Sequence, residues 1–373
     1  MGSIPFYDVV VAGAGPAGCA SAIVLKQAGL TVCLADGDDG RRIGESFPGA
    51  TARLLHRLGI NGMEELMGTG DYKPCMGNAS AWGSDQWTYQ DGLSNPEGGG
   101  WHVNRRNFNL ALRRKAFSAG ADLYTGWIDN VETCISDNGE REYLTRFRNA
   151  GGLPQGIRSR WLVDATGRKA RLSRRFGISR QKMDDQMAAI CWFRASANDR
   201  DHVTRIKSVR EGWWYTALLP EGIRVVSLQS LPTEVAGMIK EPGHFFSAFN
   251  AAGVLPYEID QTEVIDMKAV EAGIVRAGSA TADNLVCVGD TALSLDPLSS
   301  QGVFFALYSG IKAGEAISRS HTDPSSAKAS FEAYQQSVNR VYEANQRSRK
   351  YHYSSELRFA GEEYWASIVN RQS

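Results

Sequence analysis

No charge of one sign prevails in this chain of 373 residues: lysine plus arginine and aspartate plus glutamate number 41 each. That balance removes any bulk electrostatic argument for a nucleic-acid partner or an anionic membrane surface. No apolar run approaches the length of a bilayer span, so no membrane partner is expected. The six cysteines, Cys19, Cys33, Cys75, Cys134, Cys191 and Cys287, form no C-x-x-C pair. Their scatter argues against a zinc site or a disulfide framework, and for reduced thiols and a cytoplasmic protein. The six histidines show no ligand spacing either. The first strand begins almost at once, leaving no room for a signal peptide. Repeats and low-complexity tracts are absent. With 43% hydrophobic residues, the composition is that of a soluble globular protein long enough for two joined domains.

Against these absences stands one well-formed unit, Val9 to Asp36, reading VVVAGAGPAGCASAIVLKQAGLTVCLAD. Tyr7 to Ala12 reads as a buried parallel strand. Gly13, Gly15 and Gly18 follow in G-x-G-x-x-G spacing and open an Ala-rich helix to about Ala28. Thr31 to Ala35 is a second buried strand ending on Asp36. Gly13 permits a tight turn, Gly15 lets a pyrophosphate approach the backbone, and Gly18 allows close helix–strand packing. The helix start offers free N–H groups and a positive dipole end to phosphates. Asp36 stands where a carboxylate accepts hydrogen bonds from an adenosine ribose.

Further along, the sequence predicts a polar turn at 37–42, a helix over Ala50 to Leu58, and a flexible loop from Leu93 to Gly100. A helix capped by Asn104 follows, and then strands over Asp122 to Glu132. WLVDATGRKA (161–170) reads as a buried strand entering a turn. Met187–Ser196, Val203–Val209, Trp213–Leu219 and Ile223–Leu231 read as four successive strands, which suggests an inserted, mainly antiparallel sheet. Within it Trp213 and Tyr215 share one face, able to line a pocket for an aromatic substrate, and Trp214 takes the other. Asn284 to Val288 is a buried strand leading to Gly289-Asp290 and a helix from Gln301-Gly302 to about Ser318. The tail is helical. The fold class expected is α/β: a glutathione-reductase-type Rossmann domain (1–75, 101–180 and 270–320), a substrate domain (76–100 and 181–269) and a C-terminal helical segment (321–373).

Three separated segments now form a set: the Gly-rich unit, Asp164-Ala165-Thr166-Gly167, and Gly289-Asp290. A bent FAD needs such a division, with one loop for the pyrophosphate, a second for the adenine half, and an acid, Asp290, for the ribityl chain. A helix starting near Gly302 would aim its positive end at the flavin and stabilise negative charge on the reduced ring. At these residues the chain resembles the FAD monooxygenases that include p-hydroxybenzoate hydroxylase. It is more similar still to the flavin-dependent tryptophan halogenases. The likeness lies in IGESFPGA (43–50), V-x-R-x-x-F (103–108), DATGRKA, GWWYTALLP (212–220) and GDTALSLDPLSSQGVFFALYSG (289–310). It implies that Arg105 contacts the FAD phosphates or ribityl chain, that Ile128 touches adenine through its backbone, and that Ser46, Pro297 and Gly302 lie near the isoalloxazine.

The departures select among subgroups. Halogenases of this type carry a catalytic lysine shortly before a Trp-bearing strand, but NASAWGS (78–84) has none. Lys73 is the only lysine between Lys26 and Lys115. The halogenase W-x-W-x-I-P motif is broken, since 213–218 read WWYTAL. In its length and its SAWGSD segment the chain is similar to flavoprotein maturases of quinone-cofactor amine oxidases. That likeness implies hydroxylation, through a flavin C4a-hydroperoxide, of a tryptophan in a partner oxidase precursor during cysteine tryptophylquinone formation. Alternatives are a hydroxylase or halogenase of a small aromatic metabolite, and a non-oxygenating reductase similar to geranylgeranyl reductases or a partner-binding scaffold. No obvious nucleophile is needed, because the flavin carries the hard step. His102, just upstream of Arg105, is the one candidate base. No second Gly-rich unit is visible, so electrons come either from transiently bound NAD(P)H or from a separate flavin reductase.

Overall fold

Residues 4–37, 45–92, 95–136, 138–148, 156–259 and 263–370 are described by a computed structural model. In chain order, Phe6–Ala12 (β1), Pro16–Gln27 (α1) and Val32–Asp36 (β2) form a βαβ unit. Short elements follow: Ser46–Phe47 (β3), Thr51–Arg57 (α2), Tyr72–Pro74 (β4), Gly77–Ala81 (β5), Thr88–Asp91 (β6) and Trp101–Val103 (β7). Helix Arg105–Ser118 (α3) begins where the Asn104 side chain accepts from the Asn107 N–H at 3.2 Å, the cap that the sequence predicts. Asp122–Thr125 (β8), Trp127–Ile135 (β9), Arg141–Arg148 (β10) and Gly156–Asp164 (β11) come next. The four expected strands are Met187–Arg194 (β12), Val203–Val209 (β13), Gly212–Leu218 (β14) and Ile223–Ser230 (β15). Helices Pro232–Lys240 (α4) and Pro242–Ala252 (α5), strands Val264–Glu271 (β16) and Leu285–Cys287 (β17), and helices Gly302–Thr322 (α6), Ala327–Ser354 (α7) and Glu363–Asn370 (α8) complete the chain. Helix α6 runs one turn beyond the expected Ser318 because Ile317 and Ser320 still face the core.

The first sheet holds β17-β11-β1-β2-β8 as parallel neighbours; the short strand Thr281–Ala282 pairs antiparallel at the outer edge of β17, and the β9–β10 hairpin is attached where β10 pairs antiparallel to β11. Such strands are covered on both faces, which is why Val9 to Ala12 and Val32 to Ala35 are continuous apolar runs. Register places Ala12 beside both Asp164 and Ala35, and Asp164 beside Cys287. The carboxyl ends of β1, β2, β11 and β17 therefore lie at one edge.

The second sheet has seven strands in the order β16-β12-β15-β14-β13-β5-β6. All its pairs are antiparallel except β13 with β5. Alternation along β14 divides its aromatics as expected. Trp214 packs against Phe245 and Phe249 of α5, with ring centroids 5.0 and 5.2 Å apart. Trp213 and Tyr215 turn to the opposite face, toward a cluster containing Tyr353, Tyr364 and Trp365. Each edge-to-face pair adds about 1 kcal/mol to simple burial. Among the described residues no helix is long and apolar enough to cross a membrane.

A small third sheet, β3-β7-β4, lies between the other two in sequence. Of the predicted loop, Leu93 and Ser94 fall outside the described residues, as does most of the 37–42 turn. Of the glycines that follow, Gly98 is open while Gly99 and Gly100 serve close packing. A Cβ on Gly99 would lie 2.2 Å from the Cys75 carbonyl oxygen, and one on Gly100 would lie 2.0 Å from that of Phe47.

Candidate active site

Three loops meet at the carboxyl edge of the first sheet, the position where open α/β sheets bind ligands. Backbone bonds lock them to one another: Gly13 N–H to Ala35 O at 2.7 Å, Ala165 N–H to Ala12 O at 2.9 Å, and Val288 N–H to Asp164 O at 3.0 Å. Gly13 has φ +108° and its missing Cβ would lie 2.4 Å from the Ala165 carbonyl oxygen. A Cβ on Gly18 would lie 1.9 Å from Gly13 O, so α1 rides directly on the turn. Gly15 differs: nothing lies within 4 Å of its absent Cβ. It faces open space at the start of α1, whose first turn has no side-chain cap. Gly302, at the start of α6, is likewise open, and that helix too lacks a side-chain cap. The two helices cross closely, because a Cβ on Gly310 would lie 2.2 Å from Ala17 O. Two uncapped helix starts beside glycines with open space form a cradle that fits a dinucleotide.

The polar residues round this cradle are held in place. Buried Asp164 accepts from the Thr166 N–H (3.0 Å) and hydroxyl (2.6 Å) and from the Ser173 N–H (2.7 Å), and so shapes the second loop. The Thr291 hydroxyl donates to Gly167 O at 3.1 Å, joining the second loop to the third. Asp290 stands partly exposed with its carboxylate 3.7 Å from Arg168, and Arg180 donates to the Asp290 carbonyl at 3.1 Å. Asp36, at the end of β2, is paired with Arg113 of α3. Arg105 bonds Asn109 within α3 at 3.1 Å, and Ile128 lies on β9, half-buried against the core. Pro297 opens a 3-10 turn, Pro297–Ser299, just before α6.

Two residues chosen on separate grounds are brought together. The Ser46 hydroxyl and the Tyr215 phenol share a hydrogen bond of 2.6 Å, linking β3 to β14. Burial pushes the Tyr215 phenol far above its ordinary range, with only partial relief from Ser46. It therefore stays protonated at any physiological pH. Next to Ser46 the sequence reading missed Glu45, 5% exposed, which accepts from Trp192 Nε1 at 2.9 Å. A carboxylate within the apolar ESFPGA stretch was the available signal.

His102 receives a different role from the one considered for it. It is fully buried on β7, with Nδ1 3.0 Å from the Leu218 carbonyl and Nε2 2.9 Å from Thr204 Oγ1. A carbonyl only accepts, so Nδ1 carries the hydrogen and Nε2 accepts from threonine. With both nitrogens engaged and no exposed surface, it is a core histidine rather than a base facing a substrate. Desolvation depresses its pKa to about 4. The folded value lies below the unfolded one, so the neutral form favours folding above about pH 6.5. Stability is then lost as pH falls toward 4, by up to about 1.4 kcal/mol per pH unit. Urea unfolding across this range should show that component in the wild type and lose it in His102→Gln. Equal slopes in the two proteins would refute the assignment.

Ser46 pairs opposite His102, and His102 opposite Lys73. Opposed residues share a face, so the three form one row with His102 in the middle. Two strand spacings, about 10 Å, separate Lys73 from Ser46.

Comparison with known proteins follows the same lines. The family model described as tryptophan halogenase matches residues 86–372. LodB of Marinomonas mediterranea, which carries the description FAD-dependent oxidoreductase, is 26% identical over 366 residues, covering 96% of either chain. Among solved structures, the flavin-dependent halogenase CmlS superposes with a TM-score of 0.81 at 22% identity, covering 99% of this chain and 68% of CmlS. QhpG, a peptidyl tryptophan dihydroxylase essential for tryptophylquinone cofactor biogenesis, gives 0.77 at 22% identity, covering 98% and 79%.

Proposed function

Starting from the fact that the chain belongs to the tryptophan halogenase family and is an FAD-dependent enzyme, we propose that it is an oxygenase that hydroxylates an electron-rich aromatic ring. Its substrate in this reading is a tryptophan in a partner oxidase precursor, modified during biogenesis of a cysteine tryptophylquinone cofactor. The observation that carries the choice of oxygenation over halogenation is the place of Lys73, two strands from Ser46 with buried His102 between them. The fold shared with QhpG, a peptidyl tryptophan dihydroxylase, supports a protein-borne substrate.

In this reading Gly13, Gly15 and Gly18 hold the FAD pyrophosphate at the start of α1, and Asp36 and Ile128 border the adenosine. Arg105 and Asp290 serve the phosphates and ribityl chain, and Ser46, Pro297 and Gly302 border the isoalloxazine. Bound FAD supplies the activation of oxygen. The protein's part is to exclude water and to hold the substrate ring. Tyr215, protonated and fixed by Ser46, is a hydrogen-bond donor at the junction between the flavin side and the second sheet, and Trp213 lies on its face. The division into an FAD-binding domain (1–75, 101–180, 270–320), a substrate domain (76–100, 181–269) and a helical segment (321–373) belongs to this proposal. So do an electron supply from NAD(P)H or a separate reductase, and a cytoplasmic location.

The test is mass spectrometry of the purified protein incubated with dithionite or NADH, heavy oxygen, and either free tryptophan, simple phenols or an amine oxidase precursor. Labelled oxygen gained by the precursor is the expected result. Label only on a small aromatic makes the protein a metabolite hydroxylase, and no label despite reducible FAD moves it to the reductases. Halide included in the assay addresses the second reading, which the family match favours: a halogenated product lost in Lys73→Ala would overturn the oxygenase.

A further inference from the structure

A buried polar network lies behind the Pro297 turn. Asp296, 2% exposed, caps that turn by accepting from the Leu298 N–H at 2.9 Å. Arg349, 4% exposed, projects from α7 and places Nε 2.8 Å from one Asp296 oxygen and a terminal nitrogen 2.7 Å from Asp184. One turn further along α7, the Tyr353 hydroxyl accepts from Trp213 Nε1 at 3.0 Å. It lies 3.2 Å from Gln186 Oε1 and 3.3 Å from Asp296 Oδ1. Tyr364, from α8, donates to the same Gln186 oxygen. The path thus runs unbroken from β14, which carries Trp213 and Tyr215, through the tail helices to the loop before α6.

We infer that Arg349 and Tyr353 are positioning residues for the flavin: they fix the Asp296–Gln301 loop, and with it the open start of α6, and tie that loop to the strand carrying Trp213 and Tyr215. This rests on the FAD reading above.

Three observations bear on it. Apolar residues of similar volume would fill this space at less cost than a guanidinium between two buried carboxylates, so a purely structural need does not account for the charges. The loop holds a strained residue, since Ser300 has φ +50°, and such strain persists only where the surroundings over-determine it. Burial raises the Asp296 carboxyl and Arg349 opposes that shift, so the loop's ionisation depends on a residue of the tail. Removing the guanidinium leaves two carboxylates facing one another near the flavin. The part of that charge not neutralised by proton uptake at Asp296 disfavours further negative charge on the reduced ring.

The experiment uses the full-length holoprotein with Arg349→Met, Arg349→Lys and Tyr353→Phe. It measures FAD dissociation by flavin fluorescence, the midpoint potential by dye-coupled reduction, and the visible flavin spectrum. Arg349→Met should weaken FAD about tenfold and shift the potential to more negative values. Arg349→Lys, which restores the charge, should recover much of the potential. Tyr353→Phe keeps the packed ring but leaves the buried Trp213 N–H unpaired, so it should melt a few degrees below the wild type, while the spectrum shifts and FAD weakens about threefold. If Arg349→Met does not fold, Tyr353→Phe decides by affinity and spectrum. Wild-type affinity and potential in a folded Arg349→Met, or wild-type affinity and spectrum in Tyr353→Phe, would overturn the inference while leaving the flavin reading intact. A wild-type protein that fails to bind FAD at all would overturn both.

Discussion

Gly15→Val should give a folded protein that no longer retains FAD. The backbone at Gly15, φ −76° and ψ −178°, is open to any residue, and no protein atom lies within 4 Å of the added Cβ. The added Cβ meets no other part of the fold. The space it enters is the floor of the cradle at the start of α1. The apoprotein should therefore melt within a few degrees of the wild type while FAD affinity falls by at least about 100-fold, roughly 2.7 kcal/mol. Gly18→Ala makes the contrast. Its Cβ would lie 1.9 Å from the Gly13 carbonyl oxygen, so helix and turn must separate whether or not a cofactor is present. A loss of about 2–4 kcal/mol in the apoprotein is expected there. Thermal melts of the apoproteins and flavin fluorescence titrations separate the two effects. Normal FAD retention by Gly15→Val would sink the assignment of this floor to the pyrophosphate.

The largest expected loss of stability lies in the second sheet. Arg224 of β15 is fully buried and forks onto Asp199, with Nε 2.7 Å from one oxygen and a terminal nitrogen 2.9 Å from the other. It also reaches Thr216 at 3.2 Å and the Asp201 carbonyl at 3.2 Å. Tyr257 donates to the same carboxylate. Burial opposes ionisation of Asp199, yet Arg224 and Tyr257 hold its carboxyl below the usual range. Arg224→Met strands that carboxylate in the interior and should cost about 3–5 kcal/mol. Urea unfolding followed by tryptophan fluorescence measures it. Adding Asp199→Leu to the same chain should return part of the loss, because the penalty is the unpaired charge rather than the absent bond. A loss under about 1 kcal/mol in the single variant would show that water reaches the site.

The parts of this molecule that were legible in the sequence are those fixed by short-range rules. Gly13, Gly15 and Gly18 each carried a distinct steric role: the tight turn at Gly13 and the close packing at Gly18 are seen in their surroundings, and Gly15 faces open space. Alternation of period two assigned Trp213 and Tyr215 to one face and Trp214 to the other. Asn104 was readable as a cap because its bond to Asn107 spans three residues. What stayed hidden depends on contacts between distant segments. Nothing local to Ser46 announces that it meets Tyr215, 169 residues away. Strand β5 joins the second sheet parallel to β13, and no hairpin signal marks such a pairing. Arg349 looks like any cation on a polar helix, since Arg347 and Lys350 flank it, and only the fold shows that it points inward. His102 was singled out for its place near Arg105. The choice could not take account of Leu218 and Thr204, which use up both its nitrogens.

The close crossing of α1 and α6 also sets an order of assembly. Ser21 on α1 donates to the carbonyl of Gly310 on α6 across 289 residues of chain, and β17, which pairs beside β11, is likewise made late. As the chain leaves the ribosome, its first strand and helix appear early, with the small-residue face of α1 still bare. The second sheet must be made, and room left for it, before that face is covered. Contacts so far apart in sequence are slow to form, and the waiting unit exposes apolar surface meanwhile. Translation that stops short of α6 leaves no usable half-protein, because both halves of the cradle are needed at once. The cofactor site is among the last features the growing chain completes.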